Sequence, residues 1–253
     1  MLALGVHALV PERVLSVFCI QTTLHGVAAQ LVKLQSAPDL VERVHSALLD
    51  AISDASLAPG AHLRQEEIAE QLAVSRQPVL QALRLLKRDG FVLDAPGRGL
   101  MVAPLDVAWM RNVYQVRGAL DTLAARLAAL RGYEVDPRLI EQGRRCARGR
   151  NIKAMIDADM AFHNAIYAAS NNPLIALSAQ VHWSHLRRVM GEVLQSSRQR
   201  STVWDEHEAI AQAIRQGDAE LAARLIAAHS ATASDHLAAR LARFLQSTAG
   251  DSP

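Results

Sequence analysis

The chain has 253 residues, 50% hydrophobic and 21% charged, with Lys+Arg 27 against Asp+Glu 25. Enough apolar side chains are present to bury a sizeable core, which excludes disorder over most of the length. A net charge of +2 excludes a histone-like binder that works by bulk charge, but leaves room for a local basic face.

In chain order, the first 36 residues stand apart. Met1 to Val10 is apolar, Pro11, Glu12 and Arg13 interrupt, and Val14 to Ile20 is apolar again. A secretory signal needs a basic stretch before its apolar run, and a spanning helix needs about 20 apolar residues. Neither pattern is met, so no membrane partner is expected. Residues 1–36 read as an extension or as a helix packed on the body, with no function attached to either. Two cysteines, Cys19 and Cys146, lie too far apart in sequence for a CxxC knuckle. A reducing, cytoplasmic setting is the expectation.

After Pro38 the pattern becomes regular. Leu40, Val44, Ala47, Leu48 and Ile52 recur at helical spacing, and Pro59-Gly60 ends that helix. Glu66 to Leu72 is a short amphipathic helix. Ser75 is a suitable N-cap for a third helix from Arg76 to about Asp89, with Pro78 in its first turn and Gly90 just past its end. Phe91-Val92-Leu93 and Leu100-Met101-Val102 are two short strands around a hairpin tip at Ala95 to Gly99. Beyond Pro104 everything reads as helix: Trp109 to Leu130, Pro137 to Arg148, Ile152 to Ser170, Leu174 to Ser197, Trp204 to Ile214 and Ala219 to Phe244. The expected fold is mainly α. It has a winged helix-turn-helix over residues 37–104 and an all-α antiparallel bundle over 105–247.

A DNA-reading helix must bury one face and offer the other to the major groove. In the helix that starts at Arg76, Val79, Ala82, Leu83 and Leu86 form the core stripe. Arg76, Gln77, Leu80, Gln81 and Arg84 fall outside it, and Arg98 sits between two glycines at the wing tip. Arg can read guanine and Gln adenine, while the wing Arg suits a phosphate or the minor groove. An ordinary helical hairpin with a solvated polar face is the plainer alternative. The stretch PGAHLRQEEIAEQLAVSRQPVLQALRLLKRDGFVLDAPGRGLMV resembles the DNA-binding domain of GntR-family bacterial transcription regulators. Leu80 and Gln81 stand where that family commonly carries Arg and Glu.

Ten histidines remain. Asp159 and His163 are four apart, hence on one helix face; His207 and His229 lie on two further helices. Three imidazoles and a carboxylate could hold a borderline divalent ion, though an i, i+4 Asp–His pair is more often a local hydrogen bond. The region from about Asp106 to Phe244 resembles the FCD effector domain of the FadR subfamily. The resemblance rests on Asp159-Met160-Ala161-Phe162-His163, Asn172-Pro173-Leu174-Ile175, Glu206-His207 through Gly217-Asp218, and His229. It implies metal ligands at Asp159, His163, His207 and His229; the donor set itself suits Zn, Ni or Mn, and the resemblance does not choose among them. The same resemblance marks Arg117, followed four residues later by Asp121, as a carboxylate partner facing the cavity; a surface Arg–Asp pair is the alternative. Tyr114, Trp183, His182, His185 and Arg187 are further pocket candidates. The expected function is a ligand-responsive regulator and not an enzyme. It is expected to repress from a palindromic double-stranded DNA operator as a homodimer, released by a small organic acid. A metal sensor or a metal-dependent hydrolase are the alternatives.

Overall fold

The computed structural model describes residues 38–194 and 201–250. The 1–36 extension, Cys19 included, lies outside these described residues. The chain begins with α1 (Pro38–Ser53), β1 (His62–Leu63), α2 (Gln65–Gln71), α3 (Arg76–Arg88), β2 (Val92–Asp94) and β3 (Leu100–Val102). Six helices follow: α4 (Val107–Leu130), α5 (Pro137–Arg148), α6 (Ile152–Ala169), α7 (Pro173–Val193), α8 (Ser201–Arg215) and α9 (Ala219–Gly250).

The three strands form one antiparallel sheet in the order β1-β3-β2. Val92 faces Val102 and Asp94 faces Leu100 across the wing, which closes where Ala95 N–H donates to the Gly99 carbonyl at 3.0 Å. Strand β1 has no counterpart in the sequence reading, because two residues carry no alternation to detect. The N-terminal core gathers Val44, Leu48 and Ile52 of α1, Ile68 of α2, the α3 stripe, Phe91, Val92 and Val102. Val79, Ala82, Leu83 and Leu86 are fully buried, as their spacing requires. Ser75 occupies the extended N-cap position of α3, but its hydroxyl makes no capping bond. The burial of the α3 stripe therefore holds the helix start without that bond.

A second core draws on all six later helices, with α4 packed against α6, α7, α8 and α9. The caps set where these helices begin. Asp106, Asp136, Asn151 and Asn172 each accept a backbone N–H in the first turn that follows, and Pro137 and Pro173 occupy first-turn positions whose N–H would be unpaired anyway. Gly143 of α5 lies under Trp204, where a Cβ would come within 2.0 Å of the indole. That close approach seats the start of α8 on α5. Arg144 reinforces it with bonds to Asp205 at 2.6 Å and Glu208 at 2.7 Å.

Candidate functional site

On the outer face of α3, Arg76, Gln77, Gln81 and Arg84 are exposed and Leu80 is half-buried. Arg98 is exposed at the wing tip, flanked by Gly97 and Gly99 at positive φ (88° and 93°). The face is loosely committed. Arg76 pairs with Glu66 of α2 at 3.1 Å, with both side chains well exposed. Such a pair is worth at most about 1 kcal/mol and yields readily to a phosphate or base.

The bundle site is the opposite case. Helix α6 supplies Asp159 and His163, α8 supplies His207 and α9 supplies His229. One ligand atom from each lies within 4.8 Å of all the others. His163 and His207 are wholly buried and His229 is nearly so. The two Nε2 atoms of His207 and His229 stand 3.3 Å apart, and His207 Nε2 is 3.4 Å from Asp159 Oδ1. Ligands about 2.0–2.1 Å from a tetrahedral ion are separated by about 3.3–3.4 Å, so these spacings suit one shared cation. His229 Nδ1 donates to Glu206 Oε2 at 2.7 Å. This bond fixes the tautomer that leaves the Nε2 lone pair facing the cluster. His207 Nδ1 is buried with no hydrogen-bond partner. Burial pushes both His163 and His207 below the usual imidazole range, so they stay neutral, the form that can ligate. The residues therefore fit a divalent ion.

Arg117 and Asp121 are 2% and 0% exposed, which removes the surface-pair alternative. Arg117 Nε donates to Asp121 Oδ2 at 2.9 Å, and Nη2 lies 3.2 Å from His163 Nε2. Asp121 also accepts from Tyr167 and from Ser230 Oγ. Burial pushes the Asp121 carboxyl up, but Arg117, His163 and Tyr167 together hold it well below the ordinary carboxylate range. A cavity of about 160 Å³ opens beside the cluster, lined by Tyr114, Arg117, Asp159 and His229 among others. Burial raises Tyr114 to about 12, so its hydroxyl keeps its proton.

Four sequence-predicted pocket residues lie elsewhere. Trp183 is not at the cavity wall; its ring lies 4.0 Å under the Arg117 guanidinium, and its Nε1 donates to Tyr167 Oη at 3.2 Å. It is the floor that holds Arg117, a large ring being better used against a flat cation than against solvent. Arg187 points the other way, to Asp50 of α1 at 3.7 Å. His182 does not line the cavity either. His185 joins the bundle to the winged helix. Its Nε2 donates to the Asp89 carbonyl at the end of α3 at 2.9 Å, and its ring stacks on Phe91 at 3.9 Å. Arg188, one turn on, donates to the Ala103 carbonyl. Gly90, at φ 82°, lets Trp109 approach that junction; a Cβ there would sit 3.1 Å from the indole.

Sequence reasoning did not find Glu206 as the partner of His229, nor Trp204, His236 and Arg240 in the cavity wall. The Glu206-His207 pairing was visible, but nothing in it says that Glu206 serves a histidine on another helix. His229, Ala233, Leu237 and Arg240 do share one face of α9, and that spacing was a usable signal.

The described fold and site match two family descriptions. Residues 40–102 match "Bacterial regulatory proteins, gntR family", and residues 112–232 match the FCD domain. The α3 face falls in the first match and the Asp159, His163, His207 and His229 cluster in the second. The chain belongs to the GntR family. This GntR-family chain is 29% identical over 178 residues to an HTH-type transcriptional regulator from an unstable DNA locus of Streptomyces ambofaciens, across 68% of the chain and 74% of the relative. It is 22% identical over 215 residues to the HTH-type transcriptional regulator YdhC of Bacillus subtilis, across 81% and 94%. Its fold is similar to that of Escherichia coli McbR/YncC, with TM-score 0.65, 21% identity, and 81% and 98% of the two chains covered. A GntR regulator from Rhodococcus sp. RHA1 gives TM-score 0.64 at 24% identity, across 79% and 97%. The chain is thus a DNA-binding transcription regulator, and the family and its relatives are regulators, not enzymes. Among the described residues no helix is long and apolar enough to cross a membrane.

Proposed function

We propose that this regulator is a repressor that binds a palindromic operator as a homodimer and releases it when a small carboxylate enters the bundle cavity beside a divalent ion. Residues 37–104 read DNA through Arg76, Gln77, Leu80, Gln81, Arg84 and Arg98, and residues 105–247 hold the effector and the dimer contact. The protein works in the cytoplasm, where the chromosome is. The observation that carries the reading is the convergence of Asp159, His163, His207 and His229 on one another, beside a cavity that Asp159, His229 and Arg117 line. Those four residues hold the ion, which is zinc, nickel or manganese by the imidazole-rich donor set. When bound, the ion supplies a Lewis-acid seat for one carboxylate oxygen.

The chain's own groups do the rest. Arg117, fixed by Asp121 and Trp183, presents its remaining N–H groups to a second oxygen, because a guanidinium fork matches a carboxylate. Tyr114 keeps its proton and offers a neutral hydroxyl. The message leaves through α7, whose Trp183 supports Arg117 while His185 and Arg188 grip the end of α3 and the linker at Ala103. A ligand shifts the dimer only if it binds the two arrangements unequally, and a helix that touches both regions allows that. The exposed α4 residues Val116, Leu123 and Leu130 are seven apart, the spacing of a helix seam, and supply an apolar face for the second copy.

The test is anisotropy of a duplex selected from genomic fragments by the zinc-loaded protein. Carboxylates that raise the melting temperature should release the duplex. If chelation alone releases it and no acid has any effect, the ion is the signal and the carboxylate reading fails.

A further inference from the structure

The cavity has a grain. His229, Ala233, Leu237 and Arg240 all line it from α9. At 1.5 Å per residue they span about 16 Å along the helix. The inner end is polar and charged: His229, Asp159 and Arg117. The stretch beyond is apolar. Met155 and Ile156 lie one turn before Asp159 on α6, Met190 and Leu194 come from α7, and Trp204 closes the side from α8. Further along α9, His236 and Arg240 add polar side chains, and Tyr114 contributes a hydroxyl one turn before Arg117 on α4.

A hydroxy acid or sugar acid carries hydroxyls along its whole body. In this cavity those groups would lose water against Met, Ile and Leu side chains that return no strong hydrogen bond, which is costly. An acid whose only strongly polar group is its carboxylate loses nothing along the wall and gains by covering it. Size narrows the class further. A cavity of about 160 Å³ is close to the roughly 150 Å³ that a benzene ring fills in an apolar protein interior. The wall also favours a flat ring, since Trp204 offers an aromatic surface and Met155 and Met190 offer polarisable sulfurs.

We infer that the effector is a ring-sized carboxylate, of the aromatic monocarboxylic acid class, with its carboxylate at the Arg117 end and its ring between α6, α7 and Trp204. This rests on the carboxylate reading above and adds which carboxylates the site admits.

The experiment titrates the zinc-loaded full chain with benzoate, L-lactate and D-gluconate, read by calorimetry and by Trp fluorescence. Benzoate should bind at least tenfold more tightly than either of the other two. Met155→Gln and Val203→Thr, both at half-buried wall positions, should each erode that preference several-fold, while Gln142→Ala on the exposed face of α5 should leave it unchanged. Two variants are used so that a folding defect in one does not decide the matter. If L-lactate or D-gluconate binds as tightly as benzoate, the aromatic assignment is overturned and the carboxylate reading stands. If none of the three binds, the carboxylate reading falls and the assignment falls with it. A preference for benzoate that neither wall variant alters overturns the placement of its ring.

Discussion

The α3 face and the bundle site do their work with opposite economies. On α3, Arg76, Gln77, Gln81 and Arg84 stand in solvent, and the tie between Arg76 and Glu66 is a weak exposed pair. In the bundle, Arg117, Asp121 and His163 are buried and joined by hydrogen bonds, and His207 is buried beside His229 and Asp159. A surface that must fit DNA keeps its side chains free until DNA arrives. A site that answers to a small ligand, as proposed for the bundle, is held in place beforehand, so that occupancy can be felt elsewhere. The difference predicts that sensor changes cost stability or metal, whereas DNA-face changes cost only affinity.

The largest effect should come from Arg117→Met. It strands a buried Asp121 charge, and breaking one side of a buried pair typically costs about 3–5 kcal/mol. Arg84→Ala should stay within about 0.5 kcal/mol of the parent. Parallel denaturant melts check both, and equal losses in the two variants would break the comparison. Next comes Glu206→Gln, which keeps the fold but weakens the hold on the His229 tautomer. A fall of about 10–100-fold in zinc affinity is expected from loss of such an outer partner, read by competition with a chromophoric chelator. Unchanged affinity would remove Glu206 from the site.

The junction between the two regions has its own signature. Burial lowers His185 from 6.5 to about 4, against the smaller opposing pull of Asp89 and with Arg188 and His182 acting in the same direction as burial. The unfolded chain therefore takes up this proton first as pH falls. The stabilising contribution is complete above pH 6.5 and is lost between pH 6.5 and 4. From pH 7 to pH 5 the loss is about 2 kcal/mol. His185→Gln, which can still donate to the Asp89 carbonyl, should flatten that part of the stability profile. An identical profile in the variant would show that His185 does not contribute. The smallest effect belongs to Leu80→Arg. One added phosphate contact should steepen the salt dependence of DNA binding by about one counterion unit. An unchanged slope would place residue 80 away from the backbone.

Much of this was legible in the sequence, and the limits have physical causes. The α3 stripe is buried as its spacing requires, because a helix face is a local property, and Asp159, His163, His207 and His229 of three helices lie together. Trp183 and Arg187 went elsewhere. On α7 they are four residues apart, yet one supports Arg117 and the other reaches α1. Which neighbour a helix face meets depends on packing, which periodicity does not record. The partners of Glu206 and His185 escaped for the same reason, since each lies in a distant part of the chain.

The central claim is that Asp159, His163, His207 and His229 hold one divalent ion per chain. Metal analysis with X-ray absorption at the metal edge, on the purified parent and on His207→Ala, tests it most directly. One ion per chain with imidazole scattering in the parent, lost in the variant, is the predicted result. No ion in the parent under metal-replete conditions, or the same ion and spectrum in both proteins, would contradict it.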